Sequence, residues 1–241
     1  MADPLRYLKR CSVGWSRMSR AFFALWAVIT VSQTLAQTSP PSSSPVRFTV
    51  FAARPVANLS FAPRANAAPQ NLSFYPTARS PRYEYRGAMP LRFSDAVSGA
   101  VVAEAAIPAE VRDALLLFSP IEPVPTTGLR YRISVLDDSA ARRGAGELAV
   151  INLSGLAING TVNQQEVTLK TGLNPALAVG RSAKILLHTS VKGRRYQAHA
   201  DTFALARQER ALLILFAPFY KGSLQVQSRL LLDTPPVVAP K

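Results

Sequence analysis

Residues 112–120 read Arg-Asp-Ala-Leu-Leu-Leu-Phe-Ser-Pro, and residues 210–218 read Arg-Ala-Leu-Leu-Ile-Leu-Phe-Ala-Pro. Both fit Arg-x-x-Leu-x-Leu-Phe-x-Pro. The motif is carried first by Arg112, Leu115, Leu117, Phe118 and Pro120, then by Arg210, Leu213, Leu215, Phe216 and Pro218. After a polar turn each copy leads into an alternating segment that ends in Leu-Asp, at Leu136-Asp137 and Leu232-Asp233. A repeat of roughly 97 residues is the size of a domain, not of a solenoid unit. The continuous apolar runs Leu115–Phe118 and Leu212–Phe216 are what strands covered on both faces, or lying at a domain interface, require.

Outward from these runs the hydrophobic period is two. Val46, Phe48 and Val50 alternate with Arg47, Thr49 and Phe51; Tyr131, Ile133 and Val135 alternate with Arg132, Ser134 and Leu136. Short segments of this kind, split by Pro, Gly, Asn and Asp, predict half-buried strands. The expected fold is all-β: two tandem immunoglobulin-like antiparallel β-sandwich domains related by the internal repeat. The first covers 46–138 and the second 147–233, with a flexible polar bridge at 139–146. Helix is expected at most as one turn near Ala109–Asp113, because Pro108 interrupts the Ala- and Glu-rich stretch before it.

The N-terminus reads as a secretory signal. Arg6, Lys9, Arg10, Arg17 and Arg20 precede an apolar run from Ala21 to Val31, and Thr34-Leu35-Ala36 offers a cleavage site before Gln37. The run is too short for a comfortable span of about 20 residues. An uncleaved leader would instead anchor the chain. Cleavage after Ala36 would remove Cys11, the one cysteine, together with Trp15 and Trp26. The mature chain then has neither thiol chemistry nor disulfides, and stability must come from core burial. Residues 37–45 form a Pro/Ser linker and 234–241 a Pro-rich tail. Export to the periplasm or cell surface is the expected location.

No catalytic pattern stands out. The two histidines, His188 and His199, could form a polar site with Asp201 if their strands were neighbours, but a metal centre would need further ligands. No acid pair has a spacing that suits general acid–base work, Gly-x-Ser-x-Gly is missing, and no Asp-x-Asp series follows Asp137-Asp138. The expectation is a non-enzymatic protein with no cofactor and no metal. Four sequons begin at Asn58, Asn71, Asn152 and Asn159 and read as turn and strand-end residues.

Charge is the stronger signal. The chain is +14; the leader's five basic residues and one acid leave +10 for the remainder. Such an excess favours an anionic polysaccharide, lipid headgroups or another envelope protein, with no nucleic acid expected for an exported chain. The densest basic residues, and hence the candidate anion-binding set, are Arg82, Arg86, Arg142, Arg143, Lys192, Arg194 and Arg195. Alternation through Ser-Pro-Arg-Tyr-Glu-Tyr-Arg-Gly puts Arg82, Glu84 and Arg86 on one face and Tyr83 and Tyr85 on the other. Lys192-Gly193-Arg194-Arg195 reads as a hairpin tip.

Four motifs together resemble a group of exported bacterial proteins with tandem β-sandwich repeats and no established activity. They are Tyr83–Gly87 before Pro90-Leu91, Leu116–Pro120, Tyr131-Arg132 with Leu136–Ser139, and Asn152–Ser154. The resemblance implies membership and architecture but no reaction. In gross architecture alone the chain is also similar to periplasmic pilus chaperones, which cap subunits by strand donation. That gives one alternative function; a hydrolase or metal-binding protein using His188, His199 and Asp201 is the other.

Overall fold

The computed structural model describes residues 45–56 and 58–234. The expected leader and cleavage site, most of the expected linker and the tail beyond Thr234 lie outside these residues. The described chain is all β-strand, without helix. Its first half holds β1 (Val46–Ala52), β2 (Leu59–Phe61), β3 (Gln70–Asn71), β4 (Tyr83–Tyr85), β5 (Leu91–Asp95), β6 (Val101–Ala105), β7 (Asp113–Pro120) and β8 (Tyr131–Asp137). The second holds β9 (Glu147–Leu153), β10 (Ile158–Val162), β11 (Gln165–Leu169), β12 (Gly172–Leu173), β13 (Leu177–Ala178), β14 (Ser182–Val191), β15 (Arg194–Ala204), β16 (Arg210–Phe216) and β17 (Gln227–Asp233).

These strands make four sheets. In the first half β4-β1-β7-β8 faces β3-β2-β5-β6; in the second β12-β9-β16-β17, with β13 also on β9, faces β11-β10-β14-β15. Pairing is antiparallel except that β1 runs parallel to β7 and β9 parallel to β16. The expected immunoglobulin strand order does not describe this arrangement. That order groups strands one, two, four and five against three, six and seven, whereas here one, four, seven and eight oppose two, three, five and six. The turn expected near Ala109–Asp113 is a reverse turn closed by Val111 N–H donating to Pro108 O (3.0 Å), not a helix.

Each half has its own core. Phe48, Phe61, Tyr83, Phe93 and Phe118 interlock edge to face in the first, with Phe48–Phe61 centroids 5.1 Å apart. Leu148, Ile158, Ile185, Leu187 and Leu213 fill the second. A third apolar layer lies between the halves, built from Phe51, Leu115, Leu117 and Leu136 against Ala149, Ile151, Leu212, Ile214 and Leu231. The sheets therefore stack four deep, and the two inner ones are covered on both faces. That is the physical reason for the uninterrupted apolar runs in β7 and β16.

The third layer also corrects the repeat. Leu115 and Leu117 face it from β7; Leu212 and Ile214 face it from β16, while Leu213 and Leu215 face the second core. Structurally, Leu115 corresponds to Leu212 and not to Leu213, one residue out of step with the sequence motif. A one-residue shift exchanges the two faces of a strand. An apolar run buried on both faces hides that shift from sequence reading. By this register Asp113, not Arg112, is the counterpart of Arg210. Asp113 O accepts from Asp138 N–H (2.8 Å), and Arg210 pairs with Asp233. Arg112 is exposed, whereas Arg210 is 0 % exposed.

Candidate functional site

The two halves meet at one end in a buried ionic cluster. Arg210, at the start of β16, donates from Nε and Nη2 to the Asp233 carboxylate (2.8–3.2 Å) and from Nη2 to Asp138 Oδ2 (3.0 Å). Its Nη1 donates to the backbone carbonyls of Asp138 and Arg143, 3.0 Å each. Arg143 pairs with Asp138 Oδ1. Arg79 reaches in from the β3–β4 connection, with Nη1 2.5 Å from Asp138 Oδ2. Its Nη2 stands 3.3 Å from Asp233 Oδ1, close enough to attract but not aligned as a hydrogen bond. Three arginines thus share two aspartates, leaving one positive charge in excess. Burial pushes the Arg143 guanidinium down to about 10, opposed by Asp138 and reinforced by repulsion from Arg79 and Arg210. Such a cluster fixes how the halves dock, because a broken pair would strand a charge in low dielectric.

Beside the cluster a cleft of about 590 Å³ opens between the halves. Its floor is apolar, formed by Leu115, Leu136, Ala149 and Leu212; Asp138 and Arg143 stand at its inner edge. The rim carries Arg142 and the Leu173–Ala176 loop. Arg142 is exposed and donates from Nε to Asp137 Oδ2 (3.3 Å), an exposed-side ion pair whose carboxylate also lines the cleft. Leu173 is 52 % exposed although apolar. The rim loop is anchored by Asn174, whose Nδ2 donates to Val150 O (3.2 Å), Lys170 O and Gly172 O. A cleft of this size with an apolar floor and a few convergent charges matches the general make-up of ligand sites.

The seven predicted anion-binding residues fall on three separate elements. Arg82 and Arg86 flank β4 and are exposed, with Tyr83 and Tyr85 buried behind them, as the alternation requires. Arg86 Nε donates to Glu84 (2.6 Å). Lys192 and Gly193 form the β14–β15 turn with φ of 50° and 75°, as a two-residue type I′ turn requires. Arg194 and Arg195 follow on the exposed strand. Arg143 must be removed from the exposed set. It is 5 % exposed and satisfied inside the cluster, so the 139–146 segment, predicted as a flexible bridge, is pinned where Arg143 enters the interface.

The proposed His188–His199–Asp201 grouping is split. In the β14–β15 register Leu187 opposes His199 and Ile185 opposes Asp201, whereas His188 opposes Gln197 across an irregularity after Leu187. Directly opposed residues share a face. His199 and Asp201 therefore lie on the face of the buried Leu187 and Ile185, and His188 lies on the outer face. There its Nδ1 meets Arg195 Nη2 at 2.9 Å. Burial lowers the His199 imidazole below its usual value, against the pull of Asp201. Among the described residues no group of three or more His, Cys, Asp or Glu could hold a metal.

Sequence reasoning missed Arg79, Asp138, Arg210 and Asp233 as a unit. Arg210 was visible as the head of a motif, but its burial depends on the partner half. Asn152, in one of the sequons, is 1 % exposed and structural: its Oδ1 accepts from Ser154 N–H (3.1 Å) and Oγ–H (2.6 Å), and its Nδ2 donates to Leu156 O (3.1 Å). A scan against protein-family models finds no match, and a search of curated proteins returns no significant similarity.

Proposed function

We propose that this chain is an exported, non-enzymatic interaction protein of the cell envelope whose binding seat is the cleft between its two halves. The leader's basic, apolar and small-residue order supports export. The observation that carries the reading is the cleft itself: an apolar floor of Leu115, Leu136, Ala149 and Leu212, with Arg142 exposed at its mouth. That combination suits an apolar chain ending in an anionic group, such as an acyl carboxylate. The floor excludes water from the chain, and the guanidinium pairs with the headgroup.

The strand-donating, chaperone-like alternative needs an open apolar strand edge in the cleft. Leu115 and Leu212 belong to β7 and β16, which are paired on both sides, so the floor offers strand faces instead. The hydrolase or metal-binding alternative needs His188 on the same face as His199 and Asp201.

The test is calorimetric titration of residues 37–241 with laurate. Ala176→Trp, which fills the rim, should weaken binding at least about 10-fold. Arg142→Glu should weaken it roughly 5-fold at low salt and less at high salt. Laurate binding that neither substitution changes would place the seat elsewhere.

A further inference from the structure

A second concavity, of about 340 Å³, lies in the first half, away from the cleft. Its shape is set by backbone. The turn after β2 is closed by Ala67 N–H donating to Arg64 O (3.2 Å), with Asn66 in the left-handed region at φ 59°. Arg86 N–H donates to Pro63 O (2.8 Å), and Arg64 and Arg86 form an isolated parallel bridge that ties this turn to the end of β4. On the other wall the Tyr85 ring folds back over Gly87, and its hydroxyl donates to Ala88 O (2.5 Å). A Cβ on Gly87 would stand 2.4 Å from the Tyr85 hydroxyl, so a larger residue there would push the ring out of this wall.

The lining is one-sided in charge. Arg64 and Arg92 face it together with Asn66, and no acidic side chain does. Arg92 directs Nε at Glu104 (3.0 Å). Arg64 has no acidic partner among the described residues. The opposite wall is apolar, made by Met89, 40 % exposed, and Pro90.

We propose that this concavity binds one acidic sugar unit, with its carboxylate on Arg64 and Arg92 and one face of its ring on Met89 and Pro90. A guanidinium pairs with a carboxylate through two parallel N–H bonds, which a hydroxyl cannot match. The volume, at the small end of ligand pockets, suits a single ring. Asn66 supplies both donor and acceptor groups for ring hydroxyls. The site is independent of the cleft and would give the chain's positive charge a polysaccharide partner of defined chemistry.

The experiment is titration of residues 37–241 with glucuronate, glucose and inorganic phosphate, followed by amide chemical shifts. Glucuronate is expected to shift the amides of residues 64–67 and 87–92 and to bind at least about 10-fold more tightly than glucose. Arg64→Ala should weaken it by a similar factor without moving the melting temperature, because the side chain is exposed. Ala176→Trp should leave it unchanged, which separates this site from the cleft. Glucose binding as well as glucuronate would overturn the carboxylate contact. Phosphate binding as tightly as glucuronate would overturn the sugar. An Arg64→Ala protein that binds like the parent, or no glucuronate binding at all, would overturn the site.

Discussion

Replacing Arg210 with methionine tests both the ionic cluster and the corrected repeat. The substitution keeps an unbranched apolar stem but removes the guanidinium and every hydrogen bond that it makes. The carbonyls of Asp138 and Arg143 each lose a donor at 3.0 Å. A buried acceptor left unsatisfied costs about 1–3 kcal/mol. Asp233 keeps only the poorly aligned Arg79 contact at 3.3 Å. In the other direction, removing one arginine leaves Arg79 and Arg143 balanced against Asp138 and Asp233, which relieves the excess charge. Breaking a buried pair costs about 3–5 kcal/mol, and we expect Arg210→Met to fall in that range. Arg112 heads the other copy of the motif but is exposed, so Arg112→Ala should cost less than about 1 kcal/mol. Urea unfolding of residues 37–241, followed by far-ultraviolet circular dichroism at neutral pH, measures both. Equal losses for the two substitutions would refute the one-residue offset. A loss below about 1 kcal/mol for Arg210→Met would refute the cluster's role in docking the halves.

Gly160 sits where β10 and β14 approach so closely that a Cβ would lie 2.0 Å from Leu186 O. Gly160→Ala should therefore destabilise by about 3 kcal/mol or more in the same assay, since a backbone oxygen cannot yield as a side chain can. His199 titrates below the ordinary imidazole value of 6.5 because burial disfavours the imidazolium. The unfolded chain thus binds more protons between the folded value and 6.5. The contribution is fully present above about pH 6.5 and is lost as pH falls through the folded value. His199→Gln should flatten that part of the stability–pH curve, and an unchanged slope would assign the acid sensitivity to other groups. At the β14–β15 tip, Lys192→Ala with Arg194→Ala and Arg195→Ala should shift the melting temperature by less than about 3 °C. A larger drop in a thermal scan would mean that this exposed hairpin bears on the core.

Most strands were legible because a half-buried strand writes its faces into the sequence. Tyr83 and Tyr85 point inward while Arg82, Glu84 and Arg86 point outward, and Lys192-Gly193 supplies the two positive φ values that the hairpin needs. Where both faces are buried the code disappears. Leu115 and Leu116 are both 0 % exposed, yet one serves the interface and the other the first core, and nothing in their chemistry says which. The same ambiguity hid the burial of Arg210 and Arg143, which follows from the docking of the halves rather than from local pattern. The concavity at Arg64 and Arg92 was illegible for a different reason: the two arginines come from separate elements joined through a turn, with no spacing rule between them. The parallel pairing of β1 with β7 left no local sign either, because its partners are far apart in sequence.

That pairing governs the order in which the molecule can form. Arg47 pairs with Asp113, and Leu148 pairs with Ala211, so the first strand of each half waits for that half's seventh or eighth strand. Loop closure over such separations comes late and slowly, because its entropy cost precedes the contacts that offset it. Phe48 and Val50 cannot complete their sheet until β7 has been synthesised, and the third apolar layer cannot assemble until β16 has followed. As the chain emerges from the ribosome, the sheet of β2, β3, β5 and β6 can close once Ala105 is made and the β1 sheet once Asp137 is made, whereas β9 and the layer between the halves wait for β16. On the proposed reading of an exported chain, threaded unfolded through a membrane, this late closure leaves the second half and the interface open until β16 has been made.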